Sequence, residues 1–178
     1  MKNQRAMTDW PTLLRKPDHL EAPDVAAAWF DAIAQKLLNG ATLRAGGKAH
    51  RLVEVEFYCH AAEHPDPFAH RDPLQLQCGR WYFHRTGGVY RSGSFKGLDL
   101  TFGDGTLYGG VLLRGLETED ETLIDGPSLL VDHLLKLTKA ATVRVLDSMI
   151  ANRVAWDASS PVRLEGAEPP RAQPLFRC

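Results

Sequence analysis

Residues 51–58, Arg-Leu-Val-Glu-Val-Glu-Phe-Tyr, constrain the fold more than any other stretch. Val53, Val55 and Phe57 alternate with Leu52, Glu54, Glu56 and Tyr58, which is the period of a β-strand and not of a helix. One face suits a core. The other carries two carboxylates and a phenol. Neighbouring carboxylates on one face repel each other, so this face is either bathed in solvent or part of a reaction site. A partner stretch follows closely, Phe68-Ala69-His70, in a polar segment.

The remaining chain sets the frame for this strand. With 178 residues and 44% hydrophobic content, a single globular domain has room for a core. A net charge of -1 gives no global footprint for nucleic acid, so such a contact needs a local basic patch. Cys59, Cys78 and Cys178 are three in number and widely spaced, which is no disulfide framework and fits a reducing compartment. No apolar run approaches the ~20 residues that span a bilayer. Met1-Lys2-Asn3-Gln4-Arg5 leads into no apolar signal core. These features predict a cytoplasmic protein with no membrane partner, and a monomer.

Taken in order, residues 1–22 read as an irregular N-terminal arm. Asp24 is the expected N-cap of a helix carrying Val25, Trp29, Ile33 and Leu37, closed at Asn39-Gly40 by a left-handed cap. Strands at 41–44 and 48–58 flank the Ala45-Gly46-Gly47 turn. Prolines 65, 67 and 73 make 59–77 a loop. Strand-like segments follow at 79–85, 89–91, 97–102 and 106–116. An acidic connector covers 117–125, and two helices start near Gly126-Pro127 and Ala140. From 157 to 178 the chain is proline-rich and is expected to wrap the surface or lack order. The predicted fold is α+β: a single domain over 23–156 with a central, mostly antiparallel curved sheet, a projecting hairpin and flanking helices.

Several blocks of this chain resemble the alkyladenine (3-methyladenine) DNA glycosylases. The opening strand is similar to that family's R-I-V-E-T-E-A-Y. Ala69-His70 matches a loop A-H pair, and Gly79-Arg80-Trp81-Tyr82-Phe83-His84 resembles a G-x-x-Y-V-Y hairpin strand. Val111-Leu112-Leu113-Arg114-Gly115-Leu116-Glu117 looks like V-L-L-R-A-L-E, and Gly126-Pro127-Ser128-Leu129-Leu130 like a G-P-x-x-L helix start. The five blocks keep their order over roughly residues 25 to 137.

The resemblance implies a hydrolase of the N-glycosidic bond of an altered purine rotated out of damaged DNA, with no cofactor. Glu56 then activates water and Arg114 orients the site. Tyr58, His70 and His84 fall at stacking positions, and Asp99 stands where the family has a pocket asparagine. Arg80, Arg85, Arg91 and Lys96 form a basic cluster around the hairpin for the nucleic acid. Tyr90 or Val89 is the candidate for the bulky residue that family hairpins wedge into the groove. The connector 117–125 is shorter and more acidic than the family's basic insertion. Without the resemblance, Glu54 and Glu56 read as a solvated face, and His70 as a loop histidine bonded to backbone. Glu54 is expected to pair with a cation such as Arg114. A non-catalytic binder of a modified base or nucleotide is the alternative. A third reading, a metal-dependent hydrolase, would draw on His50, His60, His64, His70 and His84 with Cys59, Asp66, Asp72 and Cys78. Their spacing matches no strong metal pattern.

Overall fold

The computed structural model describes residues 9–166. Helices α1 (Trp10–Leu13) and α2 (Pro23–Gly40) precede the hairpin of β1 (Ala41–Ala45) and β2 (Lys48–His60). Next come β3 (Cys78–Phe83), the two-stranded ribbon of β4 (Arg85–Thr86) and β5 (Val89–Tyr90), and β6 (Leu98–Phe102). The chain then forms β7 (Tyr108–Thr118), β8 (Leu123–Asp125), α3 (Pro127–Thr138), α4 (Val143–Ile150) and β9 (Val162–Gly166). Seven strands make one curled, wholly antiparallel sheet in the order β3-β6-β7-β2-β1-β9, with β8 alongside β7. The expected α+β architecture is the observed one.

Helix α2 forms for the reason its pattern suggests. Ala26, Trp29, Ile33 and Leu37 recur at helical spacing and are all buried. Its ends differ from expectation. Ala22 is the cap residue, Pro23 takes the first helical position, and Asp24 sits in the first turn, where a carboxylate favours the positive helix end. Gly40 stays helical and the chain passes straight into extended Ala41, because pairing of β1 with β9 claims that residue.

Three further expectations are corrected. The arm is part of the core: Trp10, Leu14 and Leu20 are buried, Trp10 stacks on Trp156 with centroids 6.1 Å apart, and the Trp29 indole N–H donates to the Leu13 carbonyl at 3.1 Å. The acidic connector is a second hairpin, with β8 paired back along Gly115, Leu116 and Glu117. The proline-rich tail contributes β9, whose Val162 and Leu164 are buried beside β1. Residues 167–178 and 1–8 lie outside the described residues.

The pair β2 and β7 holds the detail that matters most. Leu52 faces Leu116, Glu54 faces Gly115, and Val55 faces Leu113. Val53 is therefore an extra residue on one strand and Arg114 an extra residue on the other. The two bulges offset each other and restore the register. Across them the inward parity of β2 switches, from buried His50 and Leu52 to Val55, Phe57 and Cys59. Strict alternation assigned Leu52 to the polar face; the bulge places it in the core. Glu54, Glu56 and Tyr58 stay together on the opposite face.

Candidate functional site

Each side of the sheet has its own character. Leu98, Leu100, Phe102, Val111 and Leu113 belong to the apolar core, whereas the other face of the same strands carries Asp99, Thr101 and Leu112. That second face floors a cavity of about 740 Å³, which is lined by Glu56, Tyr58, His70, His84 and Leu112 among others.

The first wall is the bulged strand pair. Because Arg114 is the extra residue of β7, its side chain lies across the face of β2. Its Nε donates to Glu54 Oε1 at 2.9 Å and its Nη1 to Glu56 Oε2 at 2.7 Å. The Tyr58 hydroxyl donates to the other oxygen of Glu56, Oε1, at 2.8 Å. Glu56 thus has one fixed donor on each oxygen. Burial, helped by Glu56, pushes the Tyr58 phenol up to about 12, so it remains a neutral donor at neutral pH. Among the described residues Glu54 carries only the guanidinium contact, and it is the more exposed carboxylate, at 51% against 41%. Glu54 pairs with Arg114, as expected, and so does Glu56. Arg114 does not line the cavity itself and reaches it through Glu56.

The second wall is built on β3 and β6. Gly110 leaves the space: a Cβ there would stand 2.5 Å from an Asp99 carboxylate oxygen. Asp99 is fully buried, its Oδ1 2.7 Å from His84 Nε2 and its Oδ2 accepting from Gln75 Nε2 at 3.4 Å. It therefore lies behind His84 and holds that ring; it is not among the residues lining the cavity. His84 and His70 meet edge to face with centroids 4.4 Å apart. The Tyr82 hydroxyl accepts from the Arg85 backbone N–H and lies 3.0 Å from His70 Nδ1. Burial pushes that phenol up to about 12. Burial, with His84 and Arg91 nearby, holds His70 below the usual imidazole value.

The rim is aromatic and basic. Phe68 is 77% and Phe95 71% exposed, and both line the cavity with Arg91 and Lys96. Asp66 positions Phe68 by accepting from the Phe68 and Cys59 backbone N–H groups at 2.8 and 3.0 Å. Two of the histidines considered for a metal, His60 and His64, serve the same loop. His64 Nδ1 lies 2.9 Å from the Cys59 carbonyl, and His60 Nδ1 accepts from the Asp66 N–H at 3.1 Å. Among the described residues no three His, Cys, Asp or Glu side chains come together as metal ligands.

The expected basic cluster separates. Arg85 pairs with Asp72 at 3.0 Å and lies over the Tyr82 and Tyr90 rings. Lys96 pairs with Asp132 at 3.2 Å, and Arg80 is not part of the cavity wall. Arg91 lines the cavity and donates from Nε to Thr86 Oγ1 at 3.1 Å. Tyr90 is bonded through its hydroxyl to Asp147 of α4, with Arg144 over its ring, so it is tethered and not a free wedge. Val89 is the exposed member of that candidate pair.

No family model matches this chain. A curated viral protein is similar. "Uncharacterized protein L759" of Acanthamoeba polyphaga mimivirus is 37% identical over 128 residues, which is 64% of this chain. The match spans 59% of the viral protein's own length. Nor does any described helix have the length and apolarity to cross a membrane.

Sequence reasoning gave no role to Phe95, Phe68 or Leu112. Phe95 and Phe68 had a readable signal, an aromatic isolated among glycine, serine, proline and charged residues. Leu112 had none, since Val111, Leu112 and Leu113 are equally apolar and only the pleat distinguishes them.

Proposed function

We propose that the cavity binds a flat nitrogenous base and that Glu56 directs water at the bond joining that base to its sugar. One observation carries the reading: a carboxylate held at both oxygens stands in a single cavity with Tyr58, His70 and His84. A carboxylate so oriented can position water and take its proton as the oxygen bonds to the anomeric carbon, while the base leaves with the bonding pair. An altered purine with reduced electron density departs most readily. Leu112 and the aromatic walls supply the apolar contact that a base needs once it leaves its stack. The arrangement supports the likeness to alkyladenine DNA glycosylases. On this reading the protein is a DNA-repair hydrolase of N-glycosyl bonds.

The test is incubation with duplexes and single strands containing hypoxanthine, ethenoadenine or methylated purines, scored for abasic sites. Release of a base that Glu56→Gln abolishes is the expected result. Failure on every substrate, or release untouched by that substitution, would sink the mechanism.

One observation favours a second reading, a binder without turnover. Each Glu56 oxygen already accepts one hydrogen bond, from Tyr58 or Arg114, and the lone pair left on each can accept from a base N–H as readily as from water. Tight binding of a lesion strand that is recovered intact would select this reading.

A further inference from the structure

Phe95 and Arg91 line two cavities, not one. On their far side lies a second concavity of about 610 Å³, walled also by Thr86, Val89 and Tyr90. Both residues therefore stand on the divide between it and the main cavity. Phe95 is an exposed aromatic ring with no covering element. Arg91 makes no ion pair among the described residues, whereas Arg85 and Lys96 are each matched by an aspartate.

Two concavities separated by a ring and an unpaired guanidinium fit two consecutive nucleotides of one strand. Bases stack on rings regardless of sequence, and the phosphate joining two nucleotides lies between them. Among the described residues the hairpin is poorly equipped to open a duplex. Pulling a base from a paired stack costs a few kcal/mol, which proteins recover with an apolar wedge and several phosphate contacts. Here the hairpin tip is Gly87-Gly88, both at positive φ (56° and 78°), and a Cβ at either would meet nothing within 4 Å. The tip itself carries no side chain, and Val89 beside it, exposed but short, turns toward the second concavity, where it forms part of the wall.

We infer that the second concavity is a stacking subsite for the nucleotide adjacent to the one in the main cavity, so that the substrate class is a single-stranded nucleic acid. This rests on the reading of the main cavity as a base pocket. Phe95 receives the neighbouring base, the tethered Tyr90 walls the subsite, and Arg91 meets the phosphate between.

The test is equilibrium binding by fluorescence anisotropy with short strands holding one ethenoadenine on a 2′-fluoro sugar, which keeps the bond intact. The same lesion is presented in single-stranded DNA, in single-stranded RNA, in a duplex, beside an abasic site on either side, and as the free nucleoside. We expect DNA or RNA single strands to bind at least tenfold tighter than the duplex. Removing the neighbouring base on one side should weaken binding about tenfold, and Phe95→Ala should do the same while erasing that neighbour effect. Duplex binding as tight as the single strand, lost in Phe95→Ala, would make Phe95 a wedge and overturn the proposal. Nucleoside binding that Tyr58→Ala weakens, without any gain from a neighbour, would remove the second subsite alone. No binding of strand or nucleoside would remove the base-pocket reading as well.

Discussion

The two walls of the cavity use the same functional group in opposite ways. On β2 the Glu56 carboxylate is 41% exposed and meets the cavity directly. On β6 the Asp99 carboxylate is 1% exposed and is bonded to His84 and Gln75. A buried carboxylate is costly unless fully bonded, and once bonded it fixes its partners rigidly. An exposed one gains little from its ion pair but stays available to water and ligand. One wall is thus built for chemistry and the other for shape. Substitutions should therefore separate activity from stability across the cavity.

The largest effect belongs to Glu56. If it acts as the base, Glu56→Gln should lower base release by about 10²- to 10⁴-fold. Unfolding by urea should change by no more than about 1 kcal/mol, since the amide oxygen can accept from Arg114 while the amide NH2 donates to the Tyr58 hydroxyl oxygen. A variant that unfolds early and binds no strand would make Glu56 structural.

Asp99 should behave in the reverse sense. Asp99→Ala leaves His84 and Gln75 without their buried acceptor and should cost about 3–5 kcal/mol in urea unfolding. Replacing the pair together, with Asp99→Leu and His84→Phe, should restore part of that loss. A double variant as unstable as the sum of its parts would mean the pair is not a closed unit.

A milder contrast concerns histidines. Burial holds His50 below its ordinary value, and it also lowers His133, helped by His50 and then Lys136; the His50 and His133 Nε2 atoms are 3.0 Å apart. His70 at the cavity is lowered too. Each ring binds its proton more weakly folded than unfolded. Stability is therefore level above about pH 6.5 and falls as the pH drops below that value. Urea midpoints at pH 7.5 and 5.5 measure this, and the His50→Gln variant should show a smaller difference between them. An unchanged midpoint would show that the pair opens without cost.

How much of this was legible depends on distance along the chain. The strand period of 51–58, the helical spacing of Trp29, Ile33 and Leu37, and the glycine turn at 46–47 are local signals, and each element formed. Glu56, Tyr58, His70 and His84 do share one cavity, as the order of the motifs suggested. Hidden from local pattern were pairings made across the chain. Leu52 and Arg114 read like ordinary members of an alternating run until the two bulges are seen together. Tyr90 looked free because Asp147, its partner, lies 57 residues away. The arm looked irregular because Trp10, Leu14 and Leu20 sit among polar residues, and its partners are distant in the chain: Trp10 stacks on Trp156, and Trp29 bonds to the Leu13 carbonyl. Asp99 read as a base contact because it stands where the resembled family has a pocket asparagine, and no local pattern reports that it lies behind His84.

The smallest predicted effect is the sharpest control. Glu54 and Glu56 share one guanidinium, lie on one strand face two residues apart, and differ mainly in what else they touch. Glu54→Gln removes an exposed ion pair and should alter stability by less than about 0.5 kcal/mol. Arg114 keeps its bond to Glu56, and Tyr58 keeps its own, so base release should stay within about threefold of the unaltered protein. Parallel rate and urea measurements on Glu54→Gln, Glu56→Gln and the double variant settle the matter. A loss at Glu54 as deep as that at Glu56 would mean the two carboxylates act as one charged unit through Arg114, and that the Tyr58 contact does not single out Glu56.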